Sequence, residues 1–180
     1  MITLKEATAE KHRIAESLPF IQSIFKGEVD TYKYTDYLYQ LHFIYYTLES
    51  HGSEIGIFEG LEDLKRAPKV RADFIDLATK NYNHVALKET NQYLSYLDNI
   101  FYDDIYNRKE RLMAHIYVRH MGDLFGGQQL AKLVPGQAHM YKFENHIGLI
   151  TEVRKRINAS MATEANIAFD FNIKIIQAYG

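Results

Sequence analysis

Only three prolines occur in 180 residues, at positions 19, 68 and 135. The long stretches between them carry apolar residues at helical spacing, and none shows an alternating strand of useful length. A chain with so few helix breakers and no strand pattern has one economical solution, a bundle of helices sharing one core. At this length it forms one domain, 1–180, without internal repeat or linker. The fold class expected is all-α, a single-domain helical bundle.

Seven helical segments are legible. Thr3 and Glu6 fit a capping box, opening a helix over about 3–17 that Pro19 stops. Its inward stripe reads Leu4, Ala7, Ile14 and Leu18. A second helix starts after Asp30 and runs to about residue 50, where Gly52 and Gly56 end it. Its apolar face is Tyr34, Tyr37, Leu38, Leu41, Ile44, Tyr45 and Leu48. Pro68 suits a helix first turn and opens a segment to about 81. Further helices are expected over about 86–97, 104–134, 145–160 and 163–179.

Composition then excludes whole classes of chemistry. There is no cysteine, so disulfides, thiolate nucleophiles and cysteine metal ligands are ruled out, as is covalent haem attachment through a C-x-x-C-H motif. The formal charge of −2 gives no pull toward nucleic acid or anionic membrane. The N-terminus lacks the apolar run of a signal peptide and no stretch reaches the ~20 apolar residues of a membrane span, so the expected location is cytoplasmic. Fourteen tyrosines stand against no tryptophan, which reads first as helix packing with hydroxyls at the edge. Glu-x-x-His, His-Glu-x-x-His, Gly-x-Ser-x-Gly and P-loop motifs are all missing.

The 104–134 segment holds an anomaly. Gly122, Gly126 and Gly127 fall within six residues of an otherwise helical sequence. Each costs about 0.5–1 kcal/mol relative to alanine inside a helix, roughly 2–3 kcal/mol together. Either the helix ends near Gly122, or a kinked helix offers bare backbone to something large and flat. Gly122 and Gly126 are four apart and share a face. Asp123 lies within this strip with Arg119 four residues before it, at pairing distance on a helix.

On the first helix Lys5, Thr8, His12, Ala15 and Glu16 fall on one stripe. Lys5 precedes His12 by about 10 Å of helix axis at 1.5 Å per residue, within reach of an anionic edge of a ligand centred on His12. Taken alone the stripe equally describes a solvated face.

Together these features resemble the haem oxygenases. Leu4-Lys5-Glu6-Ala7-Thr8 followed by His12 is similar to the opening of that family. Tyr117-Val118-Arg119-His120-Met121-Gly122-Asp123-Leu124-Phe125-Gly126-Gly127-Gln128 resembles its signature segment. Ile44-Tyr45-Tyr46-Thr47-Leu48-Glu49 resembles its second long helix, and Glu164-Ala165 through Ala168-Phe169 to Asn172-Ile173 its last. The similarity runs from about 3 to 176 in the same order and spacing.

The resemblance implies a haem oxygenase that opens the haem ring with dioxygen to give biliverdin, by family default the α isomer, with ferrous iron and carbon monoxide. Haem is then substrate and cofactor, its iron bound through His12. Glu16 would orient the other nitrogen of His12. Gly122 and Gly126 would form the distal kink, and Asp123 would organise the water that supplies a proton, with Arg119 and Tyr45 in the same network. Lys5, Tyr117 and Arg154 would face the propionates, Thr8 would stand on the haem side, and Phe169 and Asn172 would line the pocket. Electrons would come from a soluble donor such as ferredoxin, for which the basic clusters Arg108-Lys109-Arg111 and Arg154-Lys155-Arg156 are candidate docking faces. Neither nucleic acid nor membrane is an implied partner. The sequence departs from the family in having Phe125 where serine is common, His120 where tyrosine is common, and Ile150 where some members carry a basic residue. Histidine at 120 is not expected to be a ligand. Two other readings remain at this level, a haem carrier without turnover and a ligand-free structural bundle.

Overall fold

Thr3 opens the chain's first helix through its hydroxyl, which accepts from the Glu6 N–H at 3.1 Å. The computed structural model describes residues 1–180 and places nine α-helices with three short 3₁₀ turns and no strand. The first expected helix is split. α1 (Leu4–Ala7) ends at Thr8, whose buried hydroxyl donates back to the Leu4 carbonyl at 2.9 Å, and α2 (Ala9–Ser17) begins beyond it. Pro19 both stops α2 and starts α3 (Pro19–Phe25) as its first residue. The expected inward stripe is only half right. Leu4 is buried, but Ile14 is 38% exposed and α2 buries no residue at all. The helix lies on the outside of α9, touching it along one edge.

α4 (Thr31–Glu54) follows its sequence signals closely. The Asp30 carboxylate caps it by accepting from Lys33 N–H at 2.9 Å, and all seven residues of the expected apolar face are buried. Its end differs. Gly52 sits inside the helix, where a Cβ would come 2.7 Å from the Phe58 ring, and the stop is Gly56 at φ +80°.

α5 (Ala67–Leu77) ends earlier than expected, and α6 (Lys88–Asp103) runs on past 97 because Ile100 continues its buried face. α7 (Arg108–Leu130) passes through all three glycines without a break, which removes the alternative of a helix ending near Gly122. Asn158 stops the next segment early: its side chain accepts from Ser160 N–H at 2.9 Å, separating α8 (His146–Lys155) from α9 (Ala162–Gln177).

α7 is the hub of the bundle, packed on α4, α6, α8 and α9. One contiguous cluster of 37 buried apolar residues unites these helices with α5. Arg66 ties the α5 end together in an unusual way. It is 1% exposed and donates to the carbonyls of Asp63, Leu64, Lys65, Met140 and Lys142, with its guanidinium stacked 3.6 Å from the Phe143 ring centre. No carboxylate forms an ion pair with it: carbonyls take its N–H groups, and the charges of Asp123, Glu49 and Asp63 act on it from further away. No helix is long and apolar enough to cross a membrane.

Candidate active site

α4 and α7 meet through a polar contact inside an apolar core. Tyr45 donates to Asp123 Oδ2, and Arg119 Nε donates to the Tyr45 oxygen at 3.3 Å. Arg119 Nη1 reaches Asn172 Oδ1 on α9 at 3.0 Å. The sequence-predicted residues Tyr45, Arg119, Asp123 and Asn172 thus form one chain across three helices. The other Asp123 oxygen, Oδ1, accepts from no protein group. Burial pushes the Asp123 carboxyl above its ordinary range, against the opposing pull of Arg119, the Tyr45 hydrogen bond, His120 and Arg66. Burial also pushes the Tyr45 phenol well up, with the Asp123 charge adding to it. For Arg119 burial works against the charged form, but Tyr45, Tyr37 and Asp123 more than offset it and keep the guanidinium charged.

Behind this chain stands a pair that the sequence reading did not assign. His120 Nε2 lies 2.8 Å from Glu49 Oε2, its Nδ1 is 3.2 Å from the Ile116 carbonyl, and its ring packs edge-on to Tyr45 with centres 5.1 Å apart. Glu49 in turn accepts from the N–H groups of Arg66 and Ala67 at the start of α5, at 2.6 and 2.9 Å. Both nitrogens of His120 are therefore engaged inside the protein. The available signal was spacing: Glu49 is four residues after Tyr45 on one face of α4.

The three glycines have different surroundings. A Cβ on Gly122 would meet nothing within 4 Å. On Gly126 it would meet only the Leu130 side chain of the same helix, 3.1 Å away. Gly127 faces inward, where a Cβ would come 3.0 Å from the Tyr141 carbonyl oxygen, so its role is close packing. The open backbone face belongs to Gly122 and lies next to Asp123.

His12 stands on the exposed side of α2, with Nε2 3.0 Å from Glu16 Oε1 and Nδ1 left without a partner. Its ring centre is 5.9 Å from that of Phe169 on α9. Phe169 and Asn172 are three apart on that helix, so one turn of α9 touches both His12 and, through Asn172, the Arg119–Tyr45–Asp123 chain. Thr8 faces Tyr117, whose phenol is pushed up by burial and pulled down by the Thr8 hydroxyl and the Arg154 charge. Lys5 is exposed on α1 and is not drawn into any ion pair. An imidazole with one nitrogen beside a carboxylate and the other without a partner, and a bare helix face beside a buried acid, fit a flat iron-porphyrin in donor type and shape.

The basic clusters are largely spent inside the molecule. Arg108 donates to the Phe101 carbonyl, Arg111 pairs with Asp104 and Glu164, Lys155 pairs with Glu152, and Arg156 donates to the carbonyls of Ile57 and Glu59. Of the six, Lys109 and Arg154 have neither an ion pair nor a side-chain hydrogen bond.

Residues 1–148 match the family model described as heme oxygenase. The chain belongs to the haem oxygenase family. Among relatives of that family, a heme oxygenase of Guillardia theta is 27% identical over 98% of this chain and 84% of its own length. The heme oxygenase structure from Leptospira interrogans superposes with a TM-score of 0.83 at 25% identity, covering 97% of each chain. Heme oxygenase-1 from the cyanobacterium Synechocystis, solved in complex with heme, gives the same TM-score at 23% identity over 97% of this chain and 89% of its own, a likeness of fold. Haem oxygenases are haem-degrading enzymes, and the all-helical single bundle is the one they share.

Proposed function

We propose that this haem oxygenase opens the ring of haem with dioxygen and externally supplied electrons, releasing biliverdin (the α isomer), ferrous iron and carbon monoxide. The observation that carries the reading is the single turn of α9 whose Phe169 touches His12 while Asn172 bonds Arg119. It joins a candidate iron ligand on one side to a buried acid and a bare glycine face on the other.

In this reading haem lies between α2 and α7 as both substrate and source of the redox chemistry. His12 holds the iron as a neutral imidazole, and Glu16 fixes the ring by taking a hydrogen bond from its other nitrogen. Nε2 is the nitrogen now beside Glu16, so ligation uses Nδ1 or follows a turn of the ring. Gly122 and Gly126 let the porphyrin plane approach the α7 backbone. Asp123 holds a water at Oδ1 and passes a proton from it, while Tyr45 and Arg119 fix the carboxylate's orientation. Because burial favours its protonated form, Asp123 is suited to keep a proton that an exposed aspartate would lose. Lys5, Tyr117 and Arg154 face the propionates and Thr8 positions Tyr117. The electron donor is a soluble protein of the ferredoxin class, and the protein acts in the cytoplasm.

The test is a visible titration with haemin followed by reduced ferredoxin in air. A sharpened Soret band that decays as a broad red biliverdin absorption grows is the expected result. A Soret band that persists under several donors makes the protein a haem carrier, and no binding at all removes the haem reading. His12→Ala should alter the bound spectrum; an unaltered one shows that another residue ligates the iron.

A further inference from the structure

Arg154 has no carboxylate within ion-pair distance and no hydrogen bond to the protein. Its guanidinium carbon instead lies 5.6 Å from the centre of the Phe125 ring. Phe125 is 58% exposed on α7, three residues after the open face of Gly122. A large aromatic ring held in solvent on a helix beside that face, with a cation over it, calls for a reason beyond packing.

The chemistry of the contact supplies one. A carboxylate would fix Arg154 but would also neutralise it and compete with any anionic ligand. An aromatic face attracts the guanidinium through its quadrupole and leaves the charge and all the N–H donors free. The Arg154 charge is also felt at the Tyr117 phenol, which it pulls down against burial. We infer that Phe125 is a positioning residue for the ligand's carboxylate edge: it holds Arg154 unpaired and pre-oriented to bind a haem propionate. This rests on the haem reading above. It assigns to the position where the family commonly has serine a role that serine cannot perform. Ile150, one turn before Arg154, contributes no second charge, so the orientation of this one guanidinium matters more.

The experiment compares haemin with its dimethyl ester, which presents the same ring and iron without the two negative charges. Affinities of both are measured by Soret titration in the unaltered protein, in Phe125→Leu, in Phe125→Tyr, in Arg154→Gln and in the Phe125→Leu/Arg154→Gln pair. The unaltered protein should bind the acid more tightly than the ester. Phe125→Leu should reduce that preference roughly two- to fivefold, the range a partly exposed cation–π contact spans, and leave ester affinity unchanged. Phe125→Tyr should retain the preference. On the Arg154→Gln background Phe125→Leu should have no further effect. Equal loss for acid and ester would mean that Phe125 touches the ring itself, which overturns the inference. So would a preference that Phe125→Leu leaves intact, or one that it lowers equally without Arg154. An unaltered protein that binds both porphyrins alike removes the propionate role of Arg154 while leaving the haem reading standing. Failure to bind either porphyrin overturns the haem reading, and the role of Phe125 with it.

Discussion

Tyr45 on α4 donates to Asp123 on α7, with exposures of 0% and 5%, so an acid is held by a phenol in a place where water is scarce. Burial raises the folded carboxyl above its unfolded value, so the folded state holds that proton more tightly than the unfolded one. Asp123 then costs nothing below the ordinary carboxyl range and increasingly opposes folding as pH rises through the folded value. Asp123→Asn should therefore raise Tm at pH 7, by an amount that shrinks on acidification, while slowing ring opening on the order of 100-fold. Thermal melts across pH check the first effect. A lower Tm at pH 7 would mean that Arg119 and Tyr45 stabilise the ionised form more than burial penalises it.

His115 gives a second pH dependence of opposite sign. Its Nε2 lies 3.2 Å from Glu164 and its Nδ1 2.6 Å from the Tyr93 hydroxyl, an arrangement satisfied by the neutral ring with its proton on Nε2. Burial lowers its tendency to protonate, against the Glu164 hydrogen bond and charge. A folded value below the unfolded one means stability is fully present above the ordinary histidine range and erodes as pH falls through it. Denaturant melts between pH 7.5 and 5 should show that loss, and His115→Gln should flatten it. Equal slopes in both proteins would assign the loss to other groups.

How much of this was readable beforehand depended on whether the governing interactions were local. The Thr3 and Asp30 caps and the inward face of α4 were legible because caps and periodicity are written within a few residues. Tyr45, Arg119, Asp123 and Asn172 were named as site residues from the family resemblance, and the structure brings them into one hydrogen-bonded chain. What was illegible lay between distant segments. Nothing around Arg66 announces that two of its five partners are carbonyls some 75 residues away. Gly52 reads as a stop signal, yet it is a packing glycine under Phe58. Ile14 fits an inward stripe only if α2 is assumed to be a core helix, and α2 turned out to lie on the surface.

The glycines should separate experimentally. Gly127→Ala pushes a methyl onto the Tyr141 backbone oxygen, which cannot rotate away, and should cost about 1–3 kcal/mol in denaturant melts. Gly122→Ala meets nothing and should stabilise the ligand-free protein by roughly 0.5–1 kcal/mol through helix propensity. The same alanine should weaken haem binding by Soret titration. Unchanged affinity would place the porphyrin elsewhere.

Arg66→Met keeps much of the side-chain volume but takes the guanidinium donor from five carbonyls, of which Lys142 alone keeps a second side-chain donor, Lys69 Nζ at 3.1 Å. The contacts to Leu64 and Met140 are buried, so a loss of roughly 3 kcal/mol or more is expected. A loss under about 1 kcal/mol would show that those carbonyls find other partners.

α2 carries His12 yet buries none of its own residues, so little of the chain's folding energy is invested in it. Hydrogen exchange should find its amides opening far more readily than those of α4 or α7. A ligand gripping this helix would bind where the molecule is cheapest to rearrange, and could leave by the same route without disturbing the core. Retention of the bound molecule and durability of the scaffold are in that sense uncoupled, and can be tuned separately.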